Sequence, residues 1–233
     1  FLAGMGARSL PFGGAILAEA GYGKVLWSAS EEEGSPLYGY IRPALRLSTS
    51  GIVQRFDPKI EFHPISFVGL SVGYLGQMRL MSIGIGYDCT VVNCRGYIGT
   101  PYTKLRVLVG GERWFGIGSL RGGWISPGAS SGADFVDEVS NLQAGAAGDI
   151  IGSLDLMAGL RFGSRWTTGL WLSWERMQAS GSNNDSQTGF VKFALGKWSA
   201  MVGAGAYRDT QNQRGFTAFG LVQWTGISQV GIF

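Results

Sequence analysis

Apolar residues alternate with small or polar ones along much of the chain. Over 67–75, Val68, Leu70, Val72 and Tyr74 alternate with Gly69, Ser71 and Gly73. Over 80–88, Met81, Ile83, Ile85 and Tyr87 alternate with Ser82, Gly84, Gly86 and Asp88. Over 103–112, Leu105, Val107 and Val109 share one face, and Lys104, Arg106 and Glu112 share the other. Leu154, Leu156, Ala158, Leu160 and Phe162 alternate with Ser153, Asp155, Gly159 and Arg161. Val191, Phe193 and Leu195 alternate with Lys192 and Ala194. A period of two marks extended strands whose faces meet different surroundings. The pattern predicts twelve strands, near 15–27, 37–48, 52–62, 66–75, 79–90, 97–111, 114–125, 142–162, 166–178, 188–197, 198–208 and 215–226.

The predicted connections alternate in length. Longer ones are 28–36, 91–96, 126–141, 179–187 and 209–214, and short ones are 49–51, 76–78, residue 113, 163–165 and 196–197. The connection His63-Pro64-Ile65 is short where a long loop is due. If 52–75 is one strand, ten strands is the alternative. The polar face is Gly and Ser with isolated charges of both signs. That suits a narrow lumen better than the solvated face of a soluble sheet.

Composition points the same way. Among 233 residues there are 39 Gly, 8 Trp, 8 Tyr and 13 Phe, and only 15% are charged. Net charge is +3, too small to argue for nucleic acid. No run approaches the ~18 apolar residues of a transmembrane helix. Residues 1–9 lack the basic start and long apolar stretch of a signal peptide, so any such peptide is expected to have been removed. One domain is expected over 1–233, with residues 1–14 as a periplasmic segment, 15–226 as the barrel and 227–233 as a C-terminal segment.

Aromatics flank the predicted strands. Trp114, Trp166 and Trp198 each follow a short turn, and Trp27, Tyr38, Tyr87, Tyr97, Trp124 and Trp174 sit beside long loops. Such rings, apolar with a polar edge, form girdles at both membrane interfaces. With strands, connection rhythm and girdles in place, the whole chain resembles the bacterial outer-membrane β-barrel proteins. Phe233 adds to this, since such proteins often end on an aromatic used in assembly. The resemblance implies an all-β, closed antiparallel transmembrane barrel with short periplasmic turns and longer extracellular loops. It implies outer-membrane lipid and lipopolysaccharide as surroundings, and the barrel-assembly machinery as a partner in biogenesis. The class contains solute channels, a phospholipase, a lipid A deacylase and scaffolds, so no activity follows from it.

Candidate chemistry is sparse. Cys89 and Cys94 flank four residues in an expected outward loop. A disulfide is the favoured reading, because two Cys without a nearby His make an incomplete zinc set. His63 is the only histidine, with Ser66 three residues on. A lipid hydrolase would need such a base beside a serine, but the spacing matches no hydrolase motif, and a polar turn residue is the plainer reading. The expected lumen row is Glu19, Arg42, Arg46, Asp88, Lys104, Arg106, Glu112, Asp155, Arg161, Glu175 and Lys192. The facing of Arg121 is open. Arg42, Arg46, Lys104, Arg106 and Arg161 would attract anions, or else the row pairs internally and plugs the barrel. Glu31, Glu32 and Glu33 read as a solvated acidic loop, and 180–187 as a mobile polar one. No cofactor or metal site is indicated, and no enzyme. The leading expectation is a narrow porin-like channel for small polar or anionic solutes. A plugged scaffold that contacts an envelope protein through Phe135 and Val136 is the alternative, and a His63 hydrolase stands third.

Overall fold

The computed structural model describes residues 1–9, 13–29, 37–81, 88–128, 133–137 and 140–226. Among them are fifteen strands and no helix. In chain order these are β1 (Leu2–Arg8), β2 (Gly13–Gly21), β3 (Lys24–Ser28), β4 (Tyr38–Thr49), β5 (Val53–Ile65), β6 (Val68–Arg79), β7 (Gly96–Gly110), β8 (Trp114–Pro127), β9 (Phe135–Asp137), β10 (Leu142–Ala144), β11 (Asp149–Phe162), β12 (Trp166–Met177), β13 (Asn183–Leu195), β14 (Trp198–Arg208) and β15 (Arg214–Thr225). All but β9 and β10 belong to one antiparallel sheet, in the order β2-β1-β15-β14-β13-β12-β11-β8-β7-β6-β5-β4-β3. The β2–β4 pairing closes it. Because β2 and β3 both pair with β4, they act as one interrupted strand, and the wall has twelve. Closure removes the open edge that hydrocarbon cannot satisfy.

The alternation decides the facing. Leu45, Leu47, Phe56, Ile60, Phe62, Leu70, Val72, Leu105, Val107 and Val109 are all exposed on the outside. Their polar neighbours Glu19, His63, Gln77, Thr100 and Ser119 are buried inside. This is the reverse of a water-soluble sandwich and suits a lipid-facing wall.

The count of twelve agrees with the sequence pattern, but one strand lies elsewhere. Residues 2–8, expected outside the wall, form β1 and pair with both β15 and β2. Gly4 and Gly6 hide the alternation there, because they leave the middle of one face without side chains between Leu2 and Arg8. Of the predicted strand 79–90, Arg79 belongs to β6, which runs on through the predicted turn 76–78 and pairs directly with β7, and the other described residues, 80–81 and 88–90, are not strand. Residues 82–87, including Tyr87, lie outside the described residues, as do Glu31, Glu32, Glu33 and 227–233. The predicted strand 142–162 divides into β10 and β11, separated by a turn ending at Gly148 with φ 97°. The predicted mobile loop 180–187 is mostly strand, because β13 starts at Asn183.

These shifts change the rims. One rim holds the turns at 66–67, 111–113, 163–165 and 196–197, together with Phe1 and the end of β15. The β3–β4 connection leaves from this same rim, so Trp27 and Tyr38 sit there and not at the long-loop end. The opposite rim carries 80–95, 128–148, 178–182 and 209–213, along with the short turn at 50–52. His63-Pro64-Ile65 no longer breaks the rhythm, because it precedes a short turn at the short-turn rim.

Candidate functional site

The lumen has two unlike walls. On one, Glu19 of β2, Arg42 and Arg46 of β4, and Lys59 and Glu61 of β5 project inward from neighbouring positions. Glu19 receives Arg42 at 2.8 Å, Arg46 at 2.7 Å and Lys59 at 3.2 Å. Glu61 receives Arg42 and Lys59, both at 2.8 Å. The Glu19 side chain is only 6% exposed, so its charge is tolerated because three cations share it. Sequence reading named Glu19, Arg42 and Arg46 but missed the β5 half. Its signal was present, since Arg55, Asp57, Lys59, Glu61 and His63 alternate with Phe56, Pro58, Ile60 and Phe62.

The adjoining stretch of wall, β7 and β8, is built differently. Register sets Ser71 opposite Lys104, Lys104 opposite Arg121, Arg121 opposite Ser153, and Ser153 opposite Glu175. Arg106 lies opposite Ser119, and Ser119 opposite Asp155. Among the described residues, Lys104, Arg106 and Arg121 make no ion pair. Arg121, unassigned from sequence, faces inward with its guanidinium 4.3 Å over the Tyr102 ring. The Tyr102 hydroxyl donates to Asp57 at 2.6 Å. Asp155 accepts from the Ser119 hydroxyl and the Trp171 indole N–H, both at 3.4 Å.

Other expected lumen residues scatter. Asp88 lies in the outer loop, exposed, where the backbone N–H and hydroxyl of Thr90 donate to it and hold its carboxyl below the usual range. Glu112 is exposed in a short turn. Arg161 sits at the short-turn rim, donating to the Gly111 carbonyl at 3.0 Å. Lys192 is half-buried on the inward face of β13. Glu175 is inward, level with Ser153. His63 is no turn residue. It points into the barrel from β5 and stacks on Tyr40, with ring centroids 4.2 Å apart. Gly69 makes room for it, since a Cβ there would come within 2.5 Å of the imidazole.

The mouth at the long-loop rim is occupied. The 128–148 connection folds inward and pairs β9 with β10 as a hairpin. Phe135, Leu142 and Ala144 pack against Ile125, Ile151 and Met177, all buried. Asp137 accepts from the Gln77 amide and from the backbone N–H and hydroxyl of Ser140, the latter two at 3.0 and 2.6 Å. Asn184 donates to the Ser140 carbonyl. The disulfide Cys89–Cys94 closes the neighbouring loop, with Cα atoms 5.4 Å apart. That loop clamps the hairpin: Val92 and Cys94 pack on Val136, and the Asn93 N–H donates to the Asp134 carbonyl at 2.7 Å. Asp149 ties the hairpin's base to the next loop, accepting from the N–H groups of Ala179 and Ser180 at 2.7 and 2.9 Å. Between Asp137 and the wall remains a cavity of about 10 Å³, lined by Leu75, Thr100, Arg121, Ile151, Ser153 and Glu175. That is room for about one water.

Aromatics mark both rims. Trp27, Trp114, Trp166 and Trp198 are exposed at the short-turn rim, and Trp124 is exposed toward the other, where Trp174 is half-buried.

Two solved structures share this architecture. The chain is similar to the NanC porin, with a TM-score of 0.54 and 10% identity over 96% of this chain and 98% of that one. It is similar to the KdgM porin, with a TM-score of 0.54 and 8% identity over 97% and 100%. The fold is that of the outer-membrane β-barrels. At such identities the likeness concerns fold alone. No protein-family model and no curated protein matches the sequence. Function in this barrel therefore rests on the lumen and its hairpin.

Proposed function

We propose that this barrel is a narrow outer-membrane channel for small polar solutes, with a preference for anions. The observation that carries the reading is the wall of Lys104, Arg106 and Arg121. Their charges face the lumen and form no ion pair with a described residue. Unpaired cations in a confined, low-dielectric passage concentrate anions and repel cations. The paired cluster beside it, on β2, β4 and β5, adds little field. The hairpin sets the constriction. The likeness to two porins and the apolar outer wall support placement in the outer membrane.

A plugged scaffold is the second reading, favoured by the buried hairpin. It loses its proposed contact, because Phe135 and Val136 are 2% and 3% exposed and pack inside the barrel. It also needs pairing on both walls, and only one is paired. For the hydrolase, His63 offers a ring stacked on Tyr40 and buried to 7% exposure.

Planar bilayer recording of the refolded barrel across a salt gradient tests the channel. Discrete openings whose reversal potential lies on the anion side are expected. A folded barrel that never conducts, with or without its hairpin, would end this reading.

A further inference from the structure

The short-turn rim carries a second ordered feature that the lumen does not use. Turns 111–113, 163–165 and 196–197 are successive around this rim, joining β7 to β8, β11 to β12 and β13 to β14. Each ends on a cation followed at once by an indole: Arg113-Trp114, Arg165-Trp166 and Lys197-Trp198. Gly163 and Gly196, at φ 63° and 57°, keep two of these turns tight and so fix where the cation falls relative to the strand. All three cations are exposed, and none pairs with a described carboxylate. Glu112 is the one carboxylate in these turns.

The three indoles face outward and are 51%, 51% and 57% exposed. They belong to a continuous apolar band. Trp114 lies across from Leu160, Trp166 across from Phe162 and Phe193, and Trp198 across from Leu195 and Trp224. Indole rings settle at the level where hydrocarbon meets headgroup. A residue one step further along a strand is displaced by about 3.3 Å. The cations are therefore presented just outside the indoles, at the depth of lipid phosphates. Charge complementarity selects the occupant, since three free cations on one arc fit a layer of phosphates with surplus negative charge.

We propose that Arg113, Arg165 and Lys197 bind the headgroups of anionic glycerophospholipids in the adjoining leaflet, with Trp114, Trp166 and Trp198 setting the depth. The proposal rests on the membrane reading above, but not on conduction. The test uses the full chain refolded into phosphatidylcholine vesicles. Brominated phosphatidylglycerol or brominated phosphatidylcholine is added at equal mole fraction, and quenching of tryptophan fluorescence is read.

Stronger quenching by the anionic lipid is expected. The triple variant Arg113→Gln/Arg165→Gln/Lys197→Gln should lose that preference, by up to about 5-fold for each cation removed. A Trp114→Phe/Trp166→Phe/Trp198→Phe variant keeps the cations and should abolish the selective quenching, which assigns the signal to this rim. Equal quenching in the wild type overturns the proposal. So does an undiminished preference in the triple charge variant, or a preference seen only with lipopolysaccharide. Heat-dependent gel mobility checks folding of each variant. Failure to insert into any vesicle would remove the membrane reading and this proposal together.

Discussion

Glu19 shows how one side chain organises a wall. It is nearly buried, and Arg42, Arg46 and Lys59 all converge on it. Replacing it with Gln keeps the shape but leaves three cations around one remaining carboxylate, Glu61. Glu19→Gln should destabilise the barrel by about 3 kcal/mol, the low end for a broken buried pair because Arg46 is partly wet. Guanidinium unfolding followed by tryptophan fluorescence measures this, and an unchanged midpoint would mean the network is solvated. The adjoining unpaired cations on β7 and β8 predict a functional effect at a small stability cost, the loss of the Arg121–Tyr102 contact. Lys104→Gln/Arg106→Gln/Arg121→Gln removes charges with no ion partners, so the fold should tolerate it. The reversal potential in a salt gradient should then move severalfold toward non-selective permeation. Retained anion preference would shift attention to Arg55 and to the paired wall.

At the scale of elements, the β9–β10 hairpin and the disulfide loop form one unit. Inward-facing Ile98, Ile125, Ile151 and Met177 create an apolar patch inside an otherwise polar lumen, and Phe135 and Leu142 fill it. Replacing 133–148 with a short Gly-Ser linker should leave the wall folded, because the twelve wall strands complete their own ladder without the hairpin. Conductance should rise, since the narrowest point goes with the hairpin. Cys89→Ser/Cys94→Ser is the milder version. A loop this short contributes about 2 kcal/mol at most in chain entropy. The barrel should stay intact while the hairpin loosens, read as faster protease cleavage within 133–148 and noisier current. Identical cleavage rates in both proteins would mean that Val92 and Cys94 do not brace Val136.

At the scale of the whole molecule, twelve strands close because each outward face is apolar and each ladder must be complete in lipid. That logic is local and periodic, so it was legible from residues alone. The first part of Val68–Arg79 and nearly all of Gly96–Gly110 read plainly as strands, and Trp114, Trp166 and Trp198 as rim residues. Glycine-rich β1 was missed because Gly4 and Gly6 interrupt its alternation in the middle of a seven-residue strand. The end of β6 was placed too early, at 75, because periodicity does not say where a strand stops.

The sequence by itself determined the fold class and the two-faced character of most wall strands, because a period of two converts directly into two faces. It also determined that Cys89 and Cys94 would meet, since they are close along the chain. Only the tertiary structure decided which lumen charges pair. The contact between Glu19 and Lys59 depends on how three strands are staggered around the barrel, and no local pattern encodes that stagger. The tertiary structure likewise decided where Phe135 and Val136 go. A short apolar run in a loop fits equally well against a partner or the rest of the chain; here Phe135 fills the apolar patch around Ile125 and Ile151, while Val136 packs on Val92 and Cys94 of the disulfide loop.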